Sequence, residues 1–336
     1  MKPKAIFMGT REAVANAYSE ETMALLAQEL DLLPVYYTED VLRDGMAHPE
    51  LAEVAFAFST WGITALTEEE LAALLPSLKA VFYAAGTVQA FARPFLARGI
   101  AVFSAWGANG VPVAEFTVAE ILLANKGYFQ TMHRGGSPDW LEHDRAKPHP
   151  GNYGASVGIV GAGMIGSMVI ERLQSYRLHV KVYDPFLSEE RAGALGAEKV
   201  DRLPDLFGSC HVISNHLANN PQTVGMIDRR CFDRMEDNGV FLNTGRGQQV
   251  VEKDLIAALK EKPGRAAVLD VTWPEPPAPG SELYTMDNVI LTPHIAGSLG
   301  GEVARMGEYM YREYRAFAAG QPTKYRVTEA MLATMA

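Results

Sequence analysis

The fold of this 336-residue chain is decided by the stretch Val157-Gly158-Ile159-Val160-Gly161-Ala162-Gly163-Met164-Ile165-Gly166. A short apolar strand enters a G-x-G-x-x-G turn, and an apolar helix over Met164–Leu173 follows it. In this pattern the first glycine permits a tight turn, the second lets the backbone approach a pyrophosphate, and the third lets helix and strand pack closely. Free N–H groups at the start of the helix bind the anion. The stretch therefore predicts a dinucleotide-binding turn with contacts from Gly161, Gly163, Met164, Ile165 and Gly166.

A carboxylate after the next predicted strand indicates which dinucleotide binds. Asp184 follows the strand Val180–Tyr183, eighteen residues after Gly166. At this position it can accept hydrogen bonds from the adenosine ribose hydroxyls, and its charge repels a 2′-phosphate. Arg191 is the neighbour that argues for NADP. We therefore expect NAD as the cofactor; without the glycine turn, such an aspartate would be interpreted as a solvated strand end.

Short apolar runs alternate with helical patterns along most of the chain, which is the order of a parallel α/β fold. In the first third we predict strands at Ala5–Met8, Val35–Tyr37, Val54–Phe58, Ala80–Tyr83 and Ala101–Phe103. From residue 156 onward we predict them at Ser156–Val160, Val180–Tyr183, His211–Asn215, Val240–Asn243, Ala267–Leu269 and Val289–Leu291. The predicted helices include Glu21–Leu30, Glu68–Leu75, Val113–Met132 and a last one from Gly301 to about Ala319. Six strands with intervening helices are what a complete dinucleotide-binding sheet requires.

Composition and charge argue against several classes of protein. The formal net charge is −10 without any basic run, so we expect no nucleic-acid partner, because an acidic surface repels the phosphate backbone. No apolar run approaches the ~20 residues of a membrane span. Residues Met1–Gly9 are typical of a first strand rather than of a signal peptide. Cys210 and Cys231 match no metal or redox spacing, so we expect no metal site and a cytoplasmic protein.

Three polar motifs each follow a predicted strand of the later set. Arg246 lies in Asn243-Thr244-Gly245-Arg246-Gly247, Glu275 in Leu269-Asp270-Val271-Thr272-Trp273-Pro274-Glu275-Pro276, and His294 in Leu291-Thr292-Pro293-His294-Ile295-Ala296-Gly297. In isolation each is weak evidence, since glycine-arginine turns, loop glutamates and turn histidines are mostly structural. Their order along successive strands is stronger evidence, because the strand ends of such a sheet face the ligand crevice.

These motifs together resemble the D-isomer-specific 2-hydroxyacid dehydrogenase family, over nearly the whole chain. The resemblance also includes Val113-Ala114-Glu115 and, in the loop after His211–Asn215, His216 and Thr223. Two local departures stand out. The family's usual proline two residues after the loop histidine is Ala218 here, and its Gly-x-Gly substrate loop is Ala84-Ala85-Gly86-Thr87.

The resemblance implies that Arg246, Glu275 and His294 are the catalytic residues. Oxidation of an alcohol to a ketone removes a hydroxyl proton as well as a hydride, and histidine, with an ordinary pKa of about 6.5, suits that proton transfer. Glu275 would orient the imidazole and favour its protonated form. Arg246 would bind the substrate carboxylate and polarise the C2 oxygen. The expected reaction is the NAD(H)-dependent interconversion of a 2-hydroxy acid, of the D isomer by family inference, and its 2-oxo acid.

The resemblance also implies which further residues bind the ligands. The expected cofactor contacts, beyond the glycine turn and Asp184, are His216, Thr223, Thr244, Gly245, Arg246, Asp270, His294 and Gly297, with Asp270 binding the nicotinamide carboxamide. The backbone of Ala85, Gly86 and Thr87 would bind the other side of the substrate carboxylate. Trp61 is a candidate wall for the substrate's side chain, and interdomain packing is an equally good interpretation. The remaining histidines, including His143 and His149, are expected to have no constellation of polar residues around them.

The architecture implied by the resemblance is a Rossmann dinucleotide-binding domain inserted into a smaller flavodoxin-like α/β substrate domain. The substrate domain would comprise residues 1–105 and 298–336, the NAD-binding domain residues 106–297, and the active site the cleft between them. A homodimer is expected to form through the helix Val113–Met132 and the glycine- and proline-containing arm after Gly135.

Two alternative functions remain open at this point. The same fold serves as an NAD-sensing transcriptional corepressor, in which partner binding matters more than turnover. A formate dehydrogenase is disfavoured, because its reaction needs no proton acceptor and the family's glutamate is there typically a glutamine. The sequence does not identify the 2-hydroxy acid, because side-chain specificity lies in the N-terminal loops, where the resemblance is loosest.

Overall fold

The computed structural model describes residues 2–44, 48–132 and 147–333, which fold into two compact units. One unit contains the chain up to Asn109 and again from Ser298, and the other contains Gly110–Gly297. The return to the first unit coincides with the expected boundary, whereas the departure lies four residues further along than expected. The reason is local: the Trp106 ring packs edge-on against Tyr325, at 5.4 Å between ring centroids, so the residues around Trp106 pack with the first unit.

The discontinuous first unit is an α/β sandwich around a six-stranded sheet. Its strands are β1 (Lys4–Met8), β2 (Asp31–Tyr37), β3 (Val54–Ser59), β4 (Ala80–Tyr83), β5 (Ala101–Ser104) and β13 (Arg326–Val327), in the spatial order β13-β5-β4-β3-β1-β2. Its helices are α1 (Arg11–Ala17), α2 (Glu20–Glu29), α3 (Glu39–Arg43), α4 (Glu68–Leu74), α5 (Ala92–Ala97) and α13 (Val303–Ala318). All strand pairs are parallel except β13 with β5.

Alternation along the strands of the first unit divides its core between the two faces of the sheet. In β4, Ala80 and Phe82 pack on the face covered by α13, and Val81 and Tyr83 pack on the opposite face. Phe82 stacks on Phe103 of β5, with ring centroids 4.8 Å apart. Strands buried on both faces are typical of parallel sheets, and this explains why their sequences are nearly continuous apolar runs.

The second unit is built on a seven-stranded sheet that is parallel throughout. Its strands are β6 (Tyr153–Val160), β7 (Arg177–Tyr183), β8 (Glu198–Lys199), β9 (Val212–Asn215), β10 (Val240–Asn243), β11 (Ala266–Leu269) and β12 (Val289–Leu291), in the spatial order β12-β11-β10-β9-β6-β7-β8. Its helices are α7 (Tyr128–Thr131), α8 (Met164–Leu173), α9 (Glu189–Leu195), α10 (Leu203–Phe207), α11 (Arg229–Phe232) and α12 (Glu252–Glu261). The α/β fold class and the predicted strand positions are thereby confirmed.

The helix predicted at Val113–Met132 is wrong in its bounds. Helix α6 runs from Trp106 to Ala124, and the separate short helix α7 follows Gly127, which has a φ of +69°. Pro112, which cannot donate a backbone hydrogen bond, lies inside α6 rather than before it. The two-residue strands β8 and β13 were not predicted, because two residues are too few to show a periodic pattern. Among the described residues, no helix is long and apolar enough to cross a membrane.

The register of the second sheet lines up the strand ends that matter for function. Val160 is paired with Tyr183 and Asn215, Asn215 with Asn243, and Asn243 with Leu269. Leu269 is in turn paired with Leu291 of β12. The turns that follow β6, β7, β9, β10, β11 and β12 therefore leave the sheet along a single edge, which is where parallel α/β folds bind their ligands.

Candidate active site

The glycine turn after β6 has the backbone geometry of a pyrophosphate-binding loop. Gly161 has a φ of +90°, and a Cβ at this residue would lie 3.0 Å from the His216 carbonyl oxygen. A Cβ on Gly166 would lie 2.0 Å from the Gly161 carbonyl oxygen, so helix α8 can approach the turn only with glycine there. Gly163 is the N-cap residue of α8, and the space next to its Cα is open, so no side chain blocks the start of the helix. The turn therefore fits an anionic cofactor at the start of α8, next to Met164 and Ile165.

Asp184 holds the glycine turn from the end of the neighbouring strand β7. Its carboxylate accepts hydrogen bonds from the Ala162 N–H, at 2.8 Å, and from the Phe186 N–H, at 2.9 Å. The carboxylate is thus placed beside the turn, as expected of a residue that binds the adenosine ribose.

His294 and Glu275 form a hydrogen-bonded pair at the edge of the second sheet. The His294 Nδ1 lies 2.6 Å from the Glu275 Oε1, and both side chains are exposed by about two fifths or more. His294 adopts a φ of +56°, which is uncommon for a residue other than glycine, and its N–H donates to the Asp270 carbonyl oxygen at 3.1 Å. Such backbone conformations persist where the surrounding structure enforces them, and they concentrate at functional sites.

Arg246 interacts electrostatically with Glu275 of the His294–Glu275 pair. Its guanidinium donates to the Gly245 carbonyl oxygen at 2.8 Å. Burial lowers the pKa of Arg246, and the negative charge of Glu275 acts in the opposite direction. An arginine is charged at any physiological pH, so this is a partly desolvated cation within electrostatic range of the carboxylate that binds the histidine. The structure thus puts Glu275 in hydrogen-bond contact with His294 and within electrostatic range of Arg246, and the catalytic roles of the three residues stay predictions.

Asp270 binds the backbone of the turn that carries His294. The sequence analysis did not predict this structural role of Asp270. Its buried carboxylate accepts hydrogen bonds from the Thr292 hydroxyl (2.6 Å), the Ile295 N–H (2.7 Å) and the Ala296 N–H (2.9 Å). Charge-assisted bonds of this kind are among the stronger ones in proteins. Asp270 therefore orders the backbone on both sides of His294; its expected contact with the nicotinamide carboxamide stays a prediction.

The other predicted cofactor residues lie in the turns along the same sheet edge. The imidazole of His216 contacts the Ser214 hydroxyl at 2.9 Å, and burial lowers the pKa of His216 to about 4. The Thr223 hydroxyl donates to the Ala218 carbonyl oxygen at 2.6 Å, which closes the loop after β9. Thr244 is buried, with its hydroxyl 3.0 Å from that of Thr117 on α6. Gly245 lies in the turn after β10, and Gly297 lies in the turn after β12.

The predicted substrate-binding residues other than Arg246 belong to the first unit. Ala85 is fully buried, and its carbonyl oxygen accepts from the Ser104 hydroxyl at 2.9 Å and from the Ala105 N–H at 3.0 Å. Gly86 and Thr87 follow it in the same loop after β4, with Thr87 exposed. Trp61, in the loop after β3, is 45% exposed. The assignment of these four residues to substrate binding stays a prediction.

A buried carboxyl group on α6 escaped the sequence analysis. Glu120 is buried among the residues that cover the second sheet, and its Oε2 has no hydrogen-bond partner among the described residues. Burial raises the pKa of Glu120 to about 8, and the charge of Asp270 adds to that effect. Because Glu120 follows Val118 and Ala119, the sequence is typical of a helix whose charged residues face solvent. Only the fold shows that the face of α6 carrying Glu120 is covered.

The expectation that no constellation of polar residues surrounds His149 is wrong. Its Nδ1 lies 3.2 Å from the His211 Nε2, and the His211 Nδ1 lies 3.1 Å from the Glu236 Oε2. The partners are 62 and 25 residues apart along the chain, so no local motif could reveal them. His143 and the arm around it lie outside the described residues. In the part of the chain that is described, no group of three or more histidine, cysteine or acidic side chains could hold a metal.

The chain is similar to a known family of proteins over long stretches of its sequence. The family model described as "D-isomer specific 2-hydroxyacid dehydrogenase, NAD binding domain" matches residues 118–296, which include the glycine turn, Arg246, Glu275 and His294. D-3-phosphoglycerate dehydrogenase of Archaeoglobus fulgidus is 34% identical over 232 residues, covering 68% of this chain and 43% of that protein. The enzyme of the same name from Mycobacterium tuberculosis is 31% identical over 92% of this chain and 57% of its own length. The chain thus spans about half the length of these relatives.

The fold has close counterparts among solved structures. The apo form of D-mandelate dehydrogenase from Rhodotorula graminis matches with a TM-score of 0.82, covering 98% of both chains at 22% sequence identity. A glyoxylate reductase matches with a TM-score of 0.70 at 21% identity. At these identities the likeness shows the fold alone, and the family model carries the classification. The chain belongs to the D-isomer specific 2-hydroxyacid dehydrogenase family, whose NAD-binding domain it contains.

Proposed function

We propose that this protein is an NAD(H)-dependent oxidoreductase that interconverts a D-2-hydroxy acid and the corresponding 2-oxo acid. The observation that carries the proposal is the hydrogen bond of 2.6 Å between His294 and Glu275, with the half-buried guanidinium of Arg246 within electrostatic range of the same glutamate. A proton donor-acceptor pair and a carboxylate-binding cation are the two groups that this reaction requires of the protein.

His294 carries the proton in this proposal. Its Nδ1 is engaged by Glu275, which leaves Nε2 as the ring nitrogen that can exchange a proton with the C2 oxygen of the substrate. The carboxylate of Glu275 orients the ring and stabilises the imidazolium, which is the acid needed for reduction of a ketone. In the reverse direction the neutral imidazole accepts the hydroxyl proton.

Arg246 holds the substrate in this proposal. Its guanidinium is desolvated and donates to only one described acceptor, the Gly245 carbonyl oxygen, so further N–H groups remain for a ligand. A planar guanidinium matches a carboxylate with two parallel hydrogen bonds. The fixed cation also stabilises negative charge on the C2 oxygen, and orientation by two such groups can lower a barrier by several kcal/mol.

When bound, NAD(H) would supply the hydride acceptor or donor for C2 of the substrate. The chain's own part is to bind it: the glycine turn fits the pyrophosphate, and Asp184 lies where it can accept hydrogen bonds from the adenosine ribose.

A panel of 2-oxo acids with branched, aromatic, phosphorylated and sulfonated side chains tests the proposal. NADH oxidation at 340 nm is followed for each acid, with NADPH in parallel, and D- and L-hydroxy acids are then tested with NAD. We expect turnover with at least one acid, a preference for NADH, and oxidation of the D isomer alone. Tight NADH binding without turnover on any member of the panel would instead favour a cofactor-sensing role.

We further propose that the protein is a cytoplasmic homodimer. Leu123 of α6, Tyr128 of α7 and the following Met132 are each more than two fifths exposed, which leaves apolar surface for a partner.

The proposed cytoplasmic location rests on the two cysteines. Cys210 and Cys231 are buried thiols rather than a disulfide, in keeping with a reducing compartment. The dimer has its own test. Light scattering at micromolar concentration should give the mass of a dimer, and a monomer there would contradict the interface.

A further inference from the structure

Three carboxamide side chains surround the peptide groups of Arg246. Asn215 ends β9, Asn243 ends the neighbouring strand β10, and the two residues are directly paired in the sheet. Gln249 lies in the 3-10 turn Gly247–Gln249 that follows Arg246. All three side chains are completely or almost completely buried. A buried amide is costly unless its hydrogen bonds are made, so these three side chains need hydrogen-bond partners inside the protein.

Asn215 and Gln249 are bound directly to each other and to the loop after β9. The Asn215 Nδ2 donates to the Gln249 Oε1 at 2.6 Å and to the Asn243 Oδ1 at 3.0 Å. The Asn215 Oδ1 accepts from the Leu217 N–H at 3.2 Å, and the Gln249 Nε2 donates to the Leu217 carbonyl oxygen at 2.7 Å. Each carboxamide oxygen and nitrogen of the pair is therefore used.

The same network binds both peptide groups that flank the Arg246 side chain. The Arg246 N–H donates to the Gln249 Oε1 at 3.3 Å, and the Arg246 carbonyl oxygen accepts from the Asn243 Nδ2 at 3.2 Å. The Asn243 Oδ1 also accepts from the Gly245 N–H at 3.1 Å. A Cβ on Gly245 would lie 3.1 to 3.2 Å from Asn215 and Gln249 atoms, so the glycine allows the amides to close around this turn.

We propose that the Asn215 and Gln249 carboxamides are positioning residues that hold Arg246 where its guanidinium can bind the substrate carboxylate. The inference rests on the proposed function. Apolar side chains of the same size would fill this space, but they would not orient the peptide groups of Arg246, because packing is less directional than a hydrogen bond in a low-dielectric interior. A displaced guanidinium loses the geometry of two-pronged binding, and a shift of 1 Å at a positioning group can cost up to about a hundredfold in rate.

The experiment compares a 2-oxo acid substrate with its uncharged methyl ester. The variant is Gln249→Met, which keeps the length of the side chain and removes the carboxamide. The matched control is Gln248→Met, because Gln248 lies in the same turn and binds Asn219 rather than Arg246. For each protein, kcat/KM is measured for acid and ester, and the Kd of NADH is measured by fluorescence.

We expect Gln249→Met to lower the preference for the acid over the ester by about tenfold, mainly through the KM of the acid. Ester turnover should fall less than acid turnover, because Arg246 also stabilises charge on the C2 oxygen that both substrates share. The Kd of NADH should stay within about twofold of the parent, as should every parameter of the control. A loss of activity that is equal for acid and ester would reduce Gln249 to a structural role and overturn the inference.

A second variant covers the case in which Gln249→Met does not fold. Asn215→Leu removes the donor that fixes the Gln249 Oε1 and leaves Gln249 itself in place. It should also lower the preference for the acid over the ester, and an unchanged preference in this variant would overturn the inference. If the parent protein reduces no 2-oxo acid, the proposed function has failed, which is distinct from an active parent whose variants keep their preference.

Discussion

The imidazole of His294 is bound through its Nδ1 to the Oε1 of Glu275, at 2.6 Å, across two turns that follow neighbouring strands. The two residues are 19 positions apart in the chain, and they meet because β11 and β12 are parallel and in register. The pair leaves one imidazole nitrogen for substrate, so the most direct predictions concern this histidine.

Replacing His294 with asparagine should abolish most turnover without disturbing the backbone. Asparagine tolerates the φ of +56° found at His294 better than alanine does, so the turn should keep its shape. Loss of the proton-transfer group is expected to lower kcat by about 10²- to 10⁴-fold. Steady-state assays with the best 2-oxo acid measure this loss, and fluorescence titration should show NADH binding within about threefold of the parent. Near-normal kcat would rule out His294 as the acid–base group.

The variant Arg246→Lys should distinguish the effect of the positive charge on substrate binding from the effect of the guanidinium's shape. Lysine keeps the positive charge but lacks the planar fork that binds a carboxylate with two hydrogen bonds. We expect the KM of the 2-oxo acid to rise by about tenfold or more, together with a fall in kcat, because the fixed cation also stabilises charge on the C2 oxygen. An Arg246→Lys enzyme with parental KM would show that the carboxylate binds elsewhere.

Asp184→Asn tests the choice of cofactor. Asparagine has the same size and removes the charge that repels a 2′-phosphate, and its one oxygen can still accept from either the Ala162 or the Phe186 N–H group, which Asp184 binds with separate oxygens. The ratio of kcat/KM for NADH over NADPH should fall by about tenfold, chiefly through improved use of NADPH. Glu189→Gln, a neighbouring carboxylate at the start of α9, serves as the control for a general change in surface charge. A ratio that falls equally in both variants would argue against a specific role of Asp184.

Glu120→Gln should change how the stability of the protein depends on pH. Burial raises the pKa of Glu120 from 4.5 to about 8 in the folded protein. Between these values the folded protein keeps a proton that the unfolded chain has lost, so Glu120 makes the free energy of unfolding fall as the pH rises. The difference in stability between Glu120→Gln and the parent should grow in favour of the variant by about 2 kcal/mol from pH 6 to pH 8.

Urea unfolding of the two proteins at pH 6, 7 and 8 provides this measurement. Glu115→Gln is the control on the same helix, because Glu115 is exposed and faces Arg172 at 3.9 Å. A constant difference between Glu120→Gln and the parent across this range would show that Glu120 is ionised in the folded protein at pH 6.

Much of the fold was accessible from the local pattern, because strands and turns of a parallel α/β protein depend on short-range chemistry. The glycine turn after Val160 requires residues without a Cβ, and its spacing is visible in any sequence. The catalytic candidates could be predicted for a related reason: each one follows an apolar strand, and parallel strands bring their carboxyl ends to one edge. The predicted bounds of α6 were wrong because the helix continues on the N-terminal side of Pro112, a residue that is rarely tolerated inside a helix.

What local pattern could not supply is every relationship that depends on burial or on pairing between distant segments. Glu120 has the sequence context of a solvated helix residue, and its elevated pKa exists only because α6 covers the sheet near Asp270. His149 meets His211, and Asn215 meets Gln249, across chain separations that no motif spans. The physical reason is that desolvation and hydrogen-bond geometry are properties of the packed interior, whereas the residue types and their spacing, which predicted the site, are present before the chain folds.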